Sequence, residues 1–436
     1  MLRAALPVRD FYWDGEQFRP PFTDDSAPRR WAGRFALARD EGRRVTLARD
    51  RLGINKLFFA VHRAGRVSAA NRLIDLVSAG VPIEAVYSVP SGHALEIDLD
   101  HLTVTTTCRA ALDPDPAPRA GSEEIARDIR AGLEVWFARL ARRFGTRPVW
   151  VCLSGGLDSG LIAVLAREHF SDVTAYTYTF SARDGAWSED AASAERLAGR
   201  LRIPFRLVTA GAEDVLGALE DAVCYGQDWR DFNVHCAIVN ELLARAMRRD
   251  AEPEREPLIL TGDLANELLA DYTPVVLAGA EYYRLPRVQP SPLRDALVRG
   301  LDAGDREVGM FGRHGFDVIQ PYGLVAGHYL RLPASFIAEP GAKQRLGRAI
   351  AGERLPAFVF ERAKVRAQLG SPGEAPGILN VLAASGLDAA ALRTVFCRTF
   401  RVKDPAFLSA FIRAGRYRSM SAIPPRRSWI DGYLAA

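Results

Sequence analysis

The sequence predicts an α/β protein in which a β-rich first region precedes a larger region built on a parallel sheet. Short alternating segments, broken by Gly, Asn or Pro, fill the first part of the 436-residue chain. From residue 122 onward, apolar β-branched segments alternate with amphipathic ones, a spacing typical of parallel strands joined by crossover helices. Beyond about residue 262 the pattern is mainly helical. The chain is also longer than one ordinary core, which favours two domains.

The first domain is predicted to span residues 1–110. Its candidate strands are the segments 43–50, 56–63, 65–70 and 93–100. The segment 111–121 is rich in Pro and Ala and carries little periodicity, so it is predicted to be a linker. The second domain is then expected to span 122–436.

The second domain is predicted to open with a helix. Its apolar residues recur on one face, and Ser122 is the expected N-cap. The strands predicted after it are 148–153, 173–180, 204–208 and 257–261. The helices predicted between them are 159–169, 188–201 and a long stretch, 213–249. Right-handed crossovers of this kind place the strands in one parallel sheet.

Charge and composition exclude several classes of partner. The formal charge is +4, from 57 basic and 53 acidic residues. These charges form no long runs, so nucleic acid is not an expected partner. No apolar run approaches the roughly 20 residues of a membrane span, and the first residues show no apolar leader. A cytoplasmic protein without a membrane partner is therefore expected.

Cysteine and histidine usage predicts neither a disulfide framework nor a zinc centre. The 5 cysteines lie far apart and form no C-x-x-C pair, which favours a reducing compartment. The 7 histidines show no metal-ligand spacing.

The segment SGGLDSG, residues 154–160, follows an apolar strand and opens a helix. Gly155 and Gly156 let the backbone approach a ligand closely, and Ser154 and Ser159 offer hydroxyl groups beside the free N–H groups of the helix. This combination predicts a phosphate-binding turn. Asp158 would repel phosphate without a cation, so it is predicted to be a Mg²⁺ ligand. A tight strand–helix turn without any ligand would show the same Gly-Gly pair.

Two signatures of this chain resemble those of a known family. LSGGLDSG resembles the pyrophosphate-binding loop of the N-type ATP pyrophosphatases, and LTGDLANELLADY (260–272) is similar to the second signature of the asparagine synthetase family. The resemblance extends over about 120 to 370. It implies an adenine nucleotide alpha hydrolase-like (PP-loop) synthetase domain that uses ATP and Mg²⁺. Ser154, Gly155, Gly156, Asp158 and Ser159 would then hold pyrophosphate.

The first domain resembles the class II glutamine amidotransferase domain of the same family, which has an Ntn-hydrolase fold. The segments 43–59, 68–77 and 89–100 carry this resemblance. That domain uses a cysteine directly after the initiator methionine, whereas Leu2 stands here and the first cysteine is Cys108. We therefore expect a truncated, inactive remnant that does not hydrolyse glutamine.

The resemblance also implies roles for residues beyond the phosphate turn. Lys364 matches a lysine that contacts the α-phosphate, although most lysines lie at the surface. Asn266 stands where the family has an acidic metal ligand; its carbonyl oxygen can still bind Mg²⁺, and Glu267 could compensate for the lost charge. Asp263 could act as general base toward the attacking amine, or could cap the helix that follows.

The implied reaction is amide formation. A substrate carboxylate attacks the α-phosphorus of ATP, pyrophosphate leaves, and an amine then displaces AMP. The expected partners are a small-molecule or peptide carboxylate and an amine, and a homodimer is left open. A ligase of natural-product biosynthesis is favoured, with a β-lactam synthetase or lasso peptide macrolactam cyclase close behind. Two further functions fit the same motifs less well: ammonia-dependent asparagine synthesis, and a non-catalytic nucleotide-binding module.

Overall fold

The structure is a computed structural model. It describes residues 35–62, 65–101, 103–109, 120–181, 187–269, 305–361, 377–406 and 408 with their side chains. It describes the short strands 3–5, 11–13, 18–19, 32–34, 275–277 and 280–282 by their backbone alone.

The first region is β-rich, as predicted. Its strands are β1 (Arg3–Ala5), β2 (Phe11–Trp13), β3 (Phe18–Arg19), β4 (Ala32–Arg34), β5 (Ala36–Asp40), β6 (Arg44–Arg49), β7 (Phe58–His62), β8 (Arg66–Ala70), β9 (Tyr87–Ser88), β10 (His93–Asp98) and β11 (Thr103–Cys108). Helix α1 (Leu73–Ser78) and a 3₁₀ turn (Ile83–Ala85) lie between β8 and β9. In the described part, β11-β10-β6-β5 form one sheet and β1-β8-β7-β9 form another.

Alternation along the strands explains why these sheets pack face to face. Val45 and Leu47 of β6 are buried together with Phe59 and Val61 of β7 and Leu95 of β10. Residues at spacing two share one face of a strand, so each sheet presents one apolar face to a common layer.

The second region alternates strands and helices up to its fourth strand. The elements are α2 (Ser122–Phe144), β12 (Val149–Cys152), α3 (Leu157–His169), β13 (Val173–Phe180), α4 (Glu189–Leu201), β14 (Phe205–Ala210), α5 (Ala212–Gly226), α6 (Asp231–Asp250), β15 (Leu258–Leu260) and α7 (Ala265–Leu269).

The rest of the described chain is mainly helical. The elements are β16 (Val275–Leu277), β17 (Ala280–Tyr282), α8 (Val308–Arg313), β18 (Asp317–Ile319), α9 (Pro321–Leu324), α10 (Ala326–Tyr329), α11 (Ala334–Ala338), α12 (Ala342–Ala351), a 3₁₀ turn (Gly352–Arg354), α13 (Ala357–Glu361), α14 (Ile378–Ala384) and α15 (Ala389–Thr399). The α/β class and the helical C-terminal part are therefore confirmed.

The central sheet is parallel, and its strand order locates the crevice of the fold. Its described strands run β14-β13-β12-β15-β18. The chain moves outward from β12 through β13 to β14, and then returns to the other side of β12 with β15. In open parallel sheets the ligand crevice lies beyond the carboxyl ends of the strands at such a reversal. Here the reversal lies between β12 and β15, the two strands that precede the two signatures.

The predicted boundaries need correction at three points. The helical stretch 213–249 is two helices, because Gln227 adopts a left-handed conformation (φ 56°) after α5 and ends it. Ser122 is the first residue of α2 and not its N-cap; Gly121 holds that position without a side-chain cap. Helix α3 also begins at Leu157, two residues earlier than expected.

The two regions contact each other through buried groups. The buried Gln227 side chain accepts a hydrogen bond from the Leu73 N–H at 2.7 Å. Leu52 and Ile54 lie near Gly323 of α9 and belong to the same apolar core as the central sheet. The domain bounds 1–110, 111–121 and 122–436 stay predictions, because 110–119 lie outside the described residues.

Among the helices that the structure describes, none is by itself long and apolar enough to cross a membrane. The pair α14 and α15, bent by 85°, passes on length and composition when the two are taken together.

Arg147 links the N-terminal ends of β15 and β18 by hydrogen bonds. It donates to the Glu256 and Pro257 carbonyls at 2.8 and 2.9 Å and to Asp317 at 2.7 Å. We expect Arg147→Ala to lower the free energy of unfolding by about 2 kcal/mol, because these acceptors lose a charged donor. Arg255→Ala, which removes an exposed pair with Asp172, is the control and should change it by less than about 1 kcal/mol. Equal losses in urea unfolding would contradict this role.

Candidate functional site

A cavity of about 220 Å³ opens at the carboxyl ends of β12, β13 and β15. Its lining combines the phosphate turn, the second signature and polar groups from β13, α4 and α6. The lining residues are Cys152, Leu153, Ser154, Asp158, Ser159, Tyr176, Thr177, Tyr178, Asp190, Val239, Asn240, Leu243, Thr261, Gly262, Asp263 and Asn266. The cavity therefore occupies the crevice that the strand order identifies.

The phosphate turn packs closely against α4. Gly155 has a φ of +68°, and a Cβ atom there would lie 2.6 Å from the Ala194 nitrogen. The Ser193 hydroxyl donates to the Gly155 carbonyl at 3.0 Å. Position 155 therefore requires glycine for two reasons, its backbone conformation and the close approach of α4.

The two predicted serines meet inside the turn. The Ser159 hydroxyl accepts a hydrogen bond from the Ser154 N–H at 3.0 Å, and the two hydroxyls are also 3.0 Å apart. Ser159 lies in the first turn of α3, and Ser154 lies in the loop just before it, beside the first N–H groups, which have no partner within the helix. The arrangement suits an anion, because donors and the positive end of the helix converge on one point.

Gly262 brings the second signature into backbone contact with the turn. A Cβ atom at Gly262 would lie 2.7 Å from the Ser159 nitrogen and 2.8 Å from its Cα atom. Strand β15 therefore ends directly against the first turn of α3. The structure thus brings together Ser154, Asp158 and Ser159 with Asp263 and Asn266 around one cavity.

Asp263 is half-buried and lies beside other charges. Burial raises the pKa of its carboxyl group, with small contributions in the same direction from Glu267 and Asp158, while Arg306 opposes them. A carboxyl group whose pKa is raised by burial can exchange a proton closer to neutral pH, as a general base must. Leu264 (φ 78°) separates Asp263 from Ala265, where α7 begins.

Glu267 is directed away from the cavity. It is buried and accepts a hydrogen bond from the Arg306 guanidinium at 2.5 Å. Arg306 also donates to Glu307 and, at 3.2 Å, to Asn233, and it stacks 4.3 Å from the Phe232 ring centroid. Glu267 thus lies within a network of buried charges behind Asp263. No sequence motif marks Arg306, so its place in this network was not predicted.

Lys343 of α12 is a second residue of the site that no motif predicts. Its Nζ donates to Asp158 Oδ2 at 2.6 Å and also to Asn266 Oδ1, the two predicted metal ligands. A divalent ion between these oxygens would meet a single carboxylate, already paired with an ammonium group, and a neutral amide. Because hard divalent cations favour several carboxylate oxygens, these residues as arranged do not fit a resident Mg²⁺. Lys343 is buried, with 9% of its surface exposed, although nothing in the sequence distinguishes it from a surface lysine.

Lys364 lies outside the described residues, so its predicted contact with the α-phosphate stays a prediction. Gly156, the remaining predicted residue of the turn, is the N-cap of α3.

Comparison with known proteins finds a family that part of the chain matches. Residues 139–306 match the family described as asparagine synthase. The glutamine-hydrolyzing asparagine synthetase 1 of Saccharomyces cerevisiae is 31% identical over 177 residues, which cover 38% of this chain and 29% of the yeast protein. The matched part therefore spans less than a third of that relative.

Two solved structures resemble the chain at a low level. NMN synthetase from Francisella tularensis has a TM-score of 0.32 and 12% identity, covering 64% of this chain and 96% of its own. The NH3-dependent NAD synthetase from Campylobacter jejuni, in complex with the nitrate ion, has a TM-score of 0.31 and 13% identity, covering 65% and 90%.

The contact of Gly262 with α3 can be tested by substitution. We expect Gly262→Ala to lower the free energy of unfolding by about 1–3 kcal/mol and to weaken ATP binding, because the new methyl group must separate β15 from Ser159. Gly217→Ala in α5, where a Cβ meets nothing within 4 Å, is the control and should be neutral or stabilising. Calorimetry with ATP and urea unfolding measure both effects, and ATP binding at wild-type affinity by Gly262→Ala would refute the contact's role.

Glu307 should make stability depend on pH. Burial, reinforced by Asp263 and Glu267, raises its pKa from 4.5 to about 8, although Arg306 opposes the shift. Its contribution to the free energy of unfolding is therefore complete below pH 4.5 and is lost as pH rises through about 8.

We expect the wild type to lose on the order of 2 kcal/mol more stability than Glu307→Gln between about pH 5 and pH 8.5. Urea unfolding across this range measures the difference. Exposed Glu353→Gln is the control and should keep the wild-type slope. An unchanged slope in Glu307→Gln would rule out the shifted carboxyl group as the cause.

Proposed function

We propose, from the premise that residues 139–306 form a domain of the asparagine synthase family, that the chain is an ATP-dependent ligase that joins a carboxylate to an amine. The observation that carries this proposal is the convergence of the phosphate turn and the second signature on one cavity, through the contact of Gly262 with Ser159.

The chemistry that the site can support is activation of a carboxylate by adenylation. A free carboxylate is a poor acyl donor, because its hydroxide leaving group is strongly basic. Attack of a carboxylate oxygen on the α-phosphorus releases pyrophosphate and gives an acyl-adenylate, whose AMP group an amine then displaces. The Ser154 and Ser159 groups and the start of α3 would bind the departing pyrophosphate.

Asp263 is suited to the second step. An attacking amine must lose a proton as the amide forms, and the half-buried carboxyl group of Asp263 at the cavity wall can accept it. The Arg306 side chain forms ion pairs with Glu267 and Glu307 close to this segment. Asp263 would act as base in its ionised form, which the charge of Arg306 supports.

The lining of the cavity indicates the chemical class of the substrates. Tyr176, Tyr178 and Asn240 offer an aromatic and polar wall opposite the turn, which suits a small polar carboxylate or the end of a peptide. We propose that the amine is a second substrate or a group of the same molecule. A role in natural-product biosynthesis, including ring closure, is part of this proposal. Mg²⁺ would enter with ATP.

The proposal predicts pyrophosphate release from Mg-ATP that depends on a carboxylate substrate. Pools of amino acids, their derivatives and peptides are to be screened with and without ammonia. We expect Asp158→Asn to slow release by about 100-fold or more, because the turn loses its charge partner for Lys343. Exposed Asp172→Asn is the control and should behave as wild type.

The outcomes separate the candidate functions. Release that requires free ammonia and aspartate would identify an asparagine synthetase, and release without any added amine would favour ring closure. ATP binding with no release from any pool would favour a non-catalytic module. Release that is insensitive to Asp158→Asn would place the reaction elsewhere.

A further inference from the structure

Lys343 lies between the two residues at which a metal ion is expected. Its Nζ contacts Asp158 Oδ2 at 2.6 Å and also contacts Asn266 Oδ1, so one ammonium group bridges the first and second signatures. The lysine side chain is 10% exposed and that of Asp158 is 22% exposed. An ion pair so shielded from water is screened little by salt.

The position of Lys343 in its helix indicates that the Asp158 and Asn266 oxygens hold its ammonium group in place. It is the second residue of α12, where the helix dipole disfavours a cation, and burial of a lysine also costs free energy. The carboxylate and amide across the cavity entrance offset both costs. A lysine with no such partners would turn toward solvent.

Close packing fixes α12 over the turn. A Cβ atom at Gly347 would lie 2.2 Å from Leu157 Cδ2, so the helix rests directly on the SGGLDSG segment. The Asp158 backbone is held from another side, where the Tyr322 hydroxyl donates to its carbonyl at 3.0 Å. The ion pair between Lys343 and Asp158 therefore joins α12 to the phosphate turn, two elements whose relative position is already fixed by packing.

We propose that the Lys343 ammonium is the resident cation of this site, so that the protein binds no divalent ion of its own and metal enters only with the nucleotide. The second part rests on the proposed function. Asn266 and Lys343 explain each other: with a neutral amide in place of a carboxylate, Asp158 brings the one negative charge of these two ligand positions, and one ammonium group balances it. Two carboxylates would instead favour a divalent ion.

The test is Mn²⁺ binding in nucleotide-free protein, followed by electron paramagnetic resonance. Wild-type protein is expected to show no saturable binding up to about 1 mM Mn²⁺. Asn266→Asp combined with Lys343→Met adds a negative charge and removes a positive one, and should bind Mn²⁺ at least about tenfold more tightly. Adding Asp158→Asn should abolish that gain. Exposed Lys403→Met is the matched control and should match wild type.

Circular dichroism and thermal unfolding show whether the variants fold. If the combined variant does not fold, Asn266→Asp alone keeps Lys343 and should bind Mn²⁺ nearly as weakly as wild type. Tight Mn²⁺ binding by wild type that Asp158→Asn removes would overturn the proposal. So would a folded combined variant without any gain in Mn²⁺ affinity.

A further arm adds a non-hydrolysable ATP analogue, which should make wild-type protein bind Mn²⁺. Loss of this effect alone, with the nucleotide-free pattern as expected, would count against the proposed function and against entry of metal with nucleotide. The nucleotide-free pattern would still establish Lys343 as the resident cation.

Discussion

The site depends on one close contact, in which the backbone of Gly262 lies against the first turn of α3. The contact lets β15 end beside the phosphate turn, which follows the neighbouring strand β12. The polar groups of the two signatures follow directly from the ends of β12 and β15, so this contact sets the distance between them. Any side chain at position 262 would separate them, so the constraint lies in the backbone and not in a catalytic side chain.

The charges of the site are divided between two layers. Asp158 at the cavity is paired with Lys343, whereas Glu267 and Glu307 behind it are paired with Arg306. Asp263 lies between the layers, and burial raises its pKa although the charge of Arg306 opposes the shift. A buried charge needs a partner of opposite sign, and here Glu267 and Glu307 share one guanidinium group. The raised pKa of Asp263 would suit it to the proposed proton transfer.

The sequence predicted the parts of this arrangement that have a local signal. The strand period and the SGGLDSG turn located β12, β13 and α3 to within two residues. It could not locate Lys343 or Arg306, because their roles arise from contacts across 185 and 39 positions of the chain. The break at Gln227 was missed for the same reason, since a buried glutamine in a left-handed conformation is stabilised by the first region. Long-range partners, and not propensity, decide such positions.

The contact of Gln227 with the first region has an evolutionary consequence. Gln227 reaches the Leu73 N–H and, at 3.5 Å, the Asn71 carbonyl, which are main-chain groups that any sequence provides. This one contact therefore does not depend on which side chains positions 71 and 73 carry. A contact made to the main chain tolerates side-chain changes at these two positions, whereas apolar packing such as that of Leu52 and Ile54 constrains the sequence elsewhere in the same interface.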